Sequence, residues 1–273
     1  MKTITLTFLV LFSLTITAQK KEKIKGNKEV VEVYKNLESY SQLEITDGLK
    51  VFLMQTSAEG YRLKTDSNLV DVVIFEVIEG KLKISANKNI TSSKKLEIYL
   101  TFSSLNKITL GQNSKVLGQN NLKLENIELL SFDESYFDLD IQSNDLMLQM
   151  NGNAKGELKL SNKNATMTLN DNANLKGSIS TTNFNLTLNK RADMSIKGRS
   201  DNLNLITTGS SDIDAKKLKT TNAIVNASGS SKIRVNASKD LKISAKGKSD
   251  IYVYGDPEIK VEGLIDKSQI IKK

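Results

Sequence analysis

The chain of 273 residues contains no histidine, no cysteine, no tryptophan and a single proline, Pro257. Each absence removes a class of chemistry. Without histidine there is no Ser-His-Asp or Cys-His nucleophile and no ordinary zinc site. Without cysteine there is no disulfide, no thiolate and no lipidation site. Aromatic residues are only 5%, too few to supply the stacking platforms of a nucleic-acid surface. The formal charge of +8, from 39 Lys+Arg against 31 Asp+Glu, then reads as lysine scattered over connectors and strand faces. No nucleic-acid partner is expected.

What the chain does have is a repeat. One small residue marks the phase of each copy: Ser114, Ser135, Ala154, Ala173, Ala192, Ser211, Ser231, Ser249 and Ser268, with gaps of 21, 19, 19, 19, 19, 20, 18 and 19 residues. A period near 19 over nine copies is a solenoid signal. Around Ser211, Leu203, Leu205 and Thr207 precede at steps of two, and Ile213 and Ala215 follow at steps of two. That is strand spacing, not helix spacing. Each copy reads as two short strands joined by a tight turn, then a polar connector such as Lys216-Lys217. Gly152, Gly209, Gly229 and Gly247 stand two residues before the small position, where a positive φ is easy for glycine. One residue earlier come Asn151, Asn170, Asn189, Thr208 and Ser228. In stacked coils these side chains bond from one coil to the next.

A strand pair of this size cannot bury its apolar row alone, so copies stack and share one core. The expected fold is all-β, a right-handed parallel β-helix of about 19 residues per coil. A propeller needs roughly 40 or more residues per blade. A sandwich has no reason to keep a fixed phase.

Residues 1–18, MKTITLTFLVLFSLTITA, read as a secretory signal peptide. Residues 19–36 read as a basic linker, including the tail Lys20 to Lys28. Residues 37–273 form a single β-helix domain, with 37–106 as cap and early coils and 107–273 as regular repeats. Export without disulfides fits a periplasm or cell exterior, and no integral membrane segment is expected in the mature chain.

The recurring GSSDI (Gly209 to Ile213) and GSSKI (Gly229 to Ile233), with LEITDGLKVFLMQ (Leu43 to Gln55) early and IYVYGDP (Ile251 to Pro257) late, resemble the secreted head-GIN domain family. The resemblance spans roughly residues 40–270. It implies a right-handed β-helix exported by Gram-negative bacteria, an adhesin-like role and no catalytic residues. The middle copies depart from the pattern, with Asp171 and Lys190 in place of glycine.

The remaining chemistry is carboxylate, lysine and arginine. The residue after the small column faces outward, which stacks Asp193, Asp212, Lys232 and Asp250, with Arg234 two positions beyond Lys232. These five are the candidate ligand-binding residues. Adjacent Asp193 and Asp212 imply either a raised carboxyl pKa or a cation, and Lys190 and Arg191 are placed in sequence to neutralise them. No metal and no cofactor is assigned. Glycine-rich GSS turns lack the helix and lysine of a phosphate loop. A polar row, Thr166, Thr168, Asn185, Thr187, Asn204, Asn226 and Ser244, offers hydroxyls and amides to sugars or ice. Only Thr166/Thr168 gives the Thr-x-Thr of an ice surface, however, Ile206 and Ile224 interrupt the row, and the β-propensity of threonine explains most of it. The expectation is a binding or structural module at the cell surface or in the periplasm, with a glycan or protein ligand. A polysaccharide-acting enzyme using the Asp193/Asp212 pair and Arg234 is the alternative. The apolar C-terminus (Leu264, Ile265, Ile270, Ile271) suggests a homo-oligomer formed through a coil end.

Overall fold

The computed structural model describes residues 21–273; the signal peptide expected over residues 1–18 lies outside them. The chain is a β-solenoid of about nine turns with about 19 residues per coil. Its strands form two faces. On the first, Lys107–Leu110, Asn126–Ser131, Asp145–Met150 and Asn164–Leu169 stack in parallel. On the second, Lys115–Gly118, Tyr136–Gln142 and Lys155–Ser161 do the same. Period-two patterning turns every other side chain inward. Leu186, Leu205, Val225 and Ile243 thus form one buried row, and Met194, Ile213, Ile233 and Ile251 another. Each such Leu or Ile contributes about 1.5–3 kcal/mol by leaving water. The inward position at Gly156 is filled by its neighbour: a Cβ there would meet the ring of Phe137 at 2.2 Å.

The corners explain the small column. Gln112, Asp133, Gly152, Asp171, Lys190, Gly209, Gly229, Gly247 and Asp266 all have φ between 49° and 88°. Asp171 and Lys190, where glycine is missing, keep the turn and accept the left-handed backbone. Polar side chains tolerate that conformation at a cost, and Lys190 Nζ bonds Asp171 Oδ1 at 2.5 Å across the column. Ala173, Ala192 and Ser211 just beyond are buried to within 1%. Ser211, Ser231 and Ser249 each donate to the carbonyl three residues back. The asparagine ladder forms as expected: Asn170 donates to Asn151, Asn189 to Asn170 and Thr208 to Asn189, all at 2.8 Å. Ser228 leaves it and bonds the Thr207 carbonyl instead.

Two expectations need correction. The connectors of the middle copies are not breaks in the strands. Asn174–Leu188, Asp193–Thr207 and Asp212–Ala227 stay extended through the second corner, where Thr181, Ser200 and Thr220 are buried. These side chains satisfy carbonyls at the bend, as when Ser200 Oγ donates to Asn202 O at 2.9 Å. Nor is the 19–36 stretch a linker over its described part. Lys23–Lys25 pairs with Asn89–Ser92, and Val30–Asn36 pairs antiparallel with Gly60–Asp66. A basic composition hides strands that are held by partners far along the chain.

The first coils are also out of chain order. Gln42–Ile45 and Lys50–Gln55 lie between Lys81–Ala86/Leu96–Phe102 on one side and Lys107–Leu110/Lys115–Gly118 on the other. The chain therefore runs to the end of the stack and returns past its own first coil. Gln55 clips the return, donating to Ser103 O and accepting from Lys123 N. Beyond the end coil, antiparallel strands Val73–Ile78 and Gly60–Asp66 close the two faces, and Tyr61 stacks on Phe75 at 3.7 Å across them. Buried Asp66 ties this cap together by accepting from the backbone N–H groups of Lys28, Lys94 and Lys95. The far end has no counterpart among the described residues. Glu258–Leu264 and Gln269–Lys272 are its last strands, with Val261, Leu264 and Ile265 about half exposed.

Candidate functional surface

The second face carries the candidate column because its strands follow the tight corner directly, and the first residue after each small position must point out. Register places Asp193 beside Asp212, Asp212 beside Lys232 and Lys232 beside Asp250. Arg234 stands beside Asp214 and Tyr252. All five predicted residues therefore share one surface. The pairing within it differs from expectation. Arg234 Nη1 reaches diagonally to Asp212 Oδ1 at 2.8 Å. Lys190 and Arg191 do not neutralise Asp193; they turn to the coil before, Lys190 to Asp171 and Arg191 Nε to Asn172 Oδ1 at 3.0 Å. A side chain before the corner lies on the other side of the bend from one after it.

Asp193 is left without a cation. Burial and the adjacent Asp212 carboxylate push its carboxyl above the ordinary value, against a weaker backbone bond from Asp212. Opposite shifts mark paired carboxylates: the Lys190 ammonium holds Asp171 below the usual range, helped by the Gly152 N–H. No group of three or more metal-ligating side chains is found among the described residues. Tyr252 collects cations instead, with the amines of Lys232 and Lys273 and the guanidinium of Arg234 at 5.5–6.0 Å from its ring.

The first face is uncharged over its middle coils. Thr166, Asn185, Asn204 and Ile224 form one outward column, and Thr168, Thr187, Ile206 and Asn226 the next. Along its margin runs a second amide ladder, Asn183 to Asn164, Asn202 to Asn183 and Asn222 to Asn202, at 2.8–3.1 Å. Sequence reading does not single this ladder out. Its signal is asparagine at the repeat spacing, but without the register these positions look like connector.

A family model described as "Putative auto-transporter adhesin, head GIN domain" matches residues 39–170 and 153–257. The chain belongs to that family. The head GIN model matches twice, with an overlap at 153–170, as a repeat allows. A putative adhesin of Parabacteroides merdae shares the head GIN fold seen here, at 15% identity and TM-score 0.68, over 92% of this chain and 99% of that one. A putative lipid binding protein of Parabacteroides distasonis does so at 21% identity and TM-score 0.64, over 92% and 100%. A putative adhesin of the same species follows at 17% and 0.58, over 92% and 100%. No curated protein matches the chain. No helix among the described residues is long and apolar enough to cross a membrane.

Proposed function

We propose that this head GIN domain is an exported, non-catalytic binding module that holds a surface glycan or protein against its second face. The observation that carries this reading is the column Asp193, Asp212, Lys232 and Asp250 with Arg234, fixed one coil apart on a rigid sheet. Such a surface presents charge at regular intervals to an extended partner, and rigid presentation lowers the ordering cost of binding. Membership of an adhesin-described family supports it. The test is a glycan array of the protein, run beside a polysaccharide-degradation assay.

A second reading, an enzyme acting on acidic polysaccharide, draws on the raised carboxyl of Asp193 beside Asp212, since general acids are carboxyls shifted upward by their surroundings. Against it, Arg234 already engages Asp212, and the depressions on this face are open grooves. Product release in the degradation assay, lost in Asp193→Asn, would favour the enzyme.

The reading includes self-association through the C-terminal coil. Ile259, Val261 and Leu264 continue the inward rows of Leu241, Ile243 and Ala245, but no strand stacks on them among the described residues. A second copy meeting end to end brings identical strands together antiparallel.

A further inference from the structure

Beyond the candidate column, toward the second corner of the same face, lies a cluster of like charge. Register sets Lys197 directly beside Lys217 and Arg199 directly beside Lys219. Strand neighbours are about 4.8 Å apart, and alternate residues along a strand about 7 Å. Four cations thus occupy a patch roughly one coil by two residues, with Lys176 at its margin beside Ser195. Like charges directly opposite one another destabilise a sheet. Of the carboxylates nearby, Asp140 pairs with Lys159 and Asp214 with Lys216, while Asp138 and Glu157 stand at the margin by Lys176. None of Lys176, Lys197, Arg199, Lys217 and Lys219 ion-pairs with a carboxylate among the described residues.

The backbone is held close to the neighbouring coil between them. Gly198 has φ +120°, and a Cβ there would lie 2.0 Å from Ile179 O, so the strand between Lys197 and Arg199 lies too close to the coil before it for any side chain. Ser178 and Ser180 stand beside Lys197 and Arg199 in the adjacent coil. Ser180 Oγ accepts from Arg199 Nε at 3.0 Å, which aims the guanidinium while leaving its terminal nitrogens unbonded. The register shift between Ser195 and Lys197 brings both Lys216 and Lys217 to this edge, and such bulges re-aim side chains next to functional sites.

We infer that two adjoining depressions on this face, one holding Lys176, Lys197 and Lys217 with Asp138, Glu157 and Asp214 at its margin, the other holding Gly198, Arg199 and Lys219 with Asp140, together bind an anionic polysaccharide through its sulfate or carboxylate groups. This rests on the binding-module reading and names its ligand class. A polymer supplies several anions at once, which one small ion cannot, and four cations on two strands call for several. A nucleic acid fits less well, since no aromatic side chain lines either depression to stack on a base.

The test is binding of the purified protein to immobilised heparin and to polygalacturonate, with duplex DNA and a panel of neutral glycans alongside. The site variant is Lys197→Ser/Arg199→Ser/Lys217→Ser. The control, Lys115→Ser/Lys155→Ser/Lys242→Ser, removes the same charge from exposed positions elsewhere. Binding to heparin, polygalacturonate or both is expected, weakening with salt. The site variant loses at least about tenfold in affinity and the control less than about threefold. Because the site variant relieves like-charge contacts, its melting temperature is expected at or above that of the wild type; a single Lys217→Glu, read the same way, guards against misfolding of the triple. Equal losses in the two triples, no loss in either, or duplex DNA bound as tightly and through the same residues would overturn the inference. Binding confined to neutral glycans would also overturn it and leave the module reading standing. No binding to anything on the panel overturns the inference and with it the glycan half of the module reading.

Discussion

The two ends of the solenoid solve the same problem differently. A stack of parallel coils leaves unpaired backbone and open core at each end. At the N-terminal end the chain overshoots its own first coil, adds antiparallel strands to both faces and pins them with buried Asp66. At the C-terminal end it stops, leaving Val261, Leu264 and Ile265 half exposed. One end is finished by the chain itself, and the other has no covering strand among the described residues. Repetition supplies a core but no boundary, so an end has to be built from sequence that does not repeat.

The largest expected effect breaks the finished end. Asp66→Ala leaves the backbone N–H groups of Lys28, Lys94 and Lys95 without their acceptor, and buried donors left unpaired are costly. The melting temperature is expected to fall on the order of 5 °C or more, with amide exchange at those three residues accelerating before that of the middle coils. Burial pushes the Asp66 carboxyl up, but the backbone bonds outweigh it and hold the pKa below the ordinary value. A depressed folded pKa means that its contribution is complete above the unfolded value of about 3.9 and is lost as pH falls through the folded one. Acid should therefore release the cap first. Uniform acid exchange along the chain would contradict this.

A smaller effect separates middle from end. Leu49 already occupies the small-column position in the coil next to the cap, fully buried, because the coil beyond it leaves the corner through Asn87 to Lys95 instead of turning tightly. In the middle, both neighbours are corners. Ala173→Leu or Ser211→Leu is expected to cost about 1–3 kcal/mol by overpacking, and the same change at Asn174 or Asp193 under about 1 kcal/mol. Denaturant melts giving equal losses at the two kinds of site would refute the phase of the repeat.

How much of this is legible in the chain alone follows the same division. The 19-residue phase, the two strands per copy, the asparagine ladder through Thr208 and the outward column from Asp193 to Asp250 all depend on local spacing, and spacing is written in the chain. The return of the chain past its first coil is not legible, because it depends on Gln55 meeting Ser103 and Lys123. The strand at Lys23–Lys25 looks like linker because its partner is Asn89–Ser92. On the surface, stacking is readable but reach is not: spacing alone sets Asp193 beside Asp212, while the diagonal from Arg234 to Asp212 depends on side-chain length across two strands.

The open end gives a third test. Deleting Lys260 to Lys273 should convert an associated species to a monomer in light scattering, since it removes Val261, Leu264 and Ile265 together. A chain that is monomeric before and after deletion rules out association through that end. The smallest effect lies on the face between the ends. With Arg234 on Asp212, millimolar calcium is expected to move the melting temperature of the wild type and of Asp212→Asn alike, by less than about 1 °C, far below the shift a well-occupied site gives. Asp193→Asn should stabilise slightly at neutral pH. A raised carboxyl pKa means stability present at low pH is lost as pH rises from the unfolded value through the folded one, and on an exposed strand the gain stays under about 1 kcal/mol. The gain should vanish below about pH 4.

The difference between the ends also has a mechanical side. Hydrogen bonds between coils run along the axis of the stack, so a pull between the chain termini loads them one row after another. The pinned end resists through Asp66 and the antiparallel strands, and yielding begins where only one neighbour holds the last coil. Each coil that peels away releases roughly 60 Å of extended chain, while those behind it stay folded. A tether built this way lengthens in steps under load, and each step lets the tension fall before the next coil is reached.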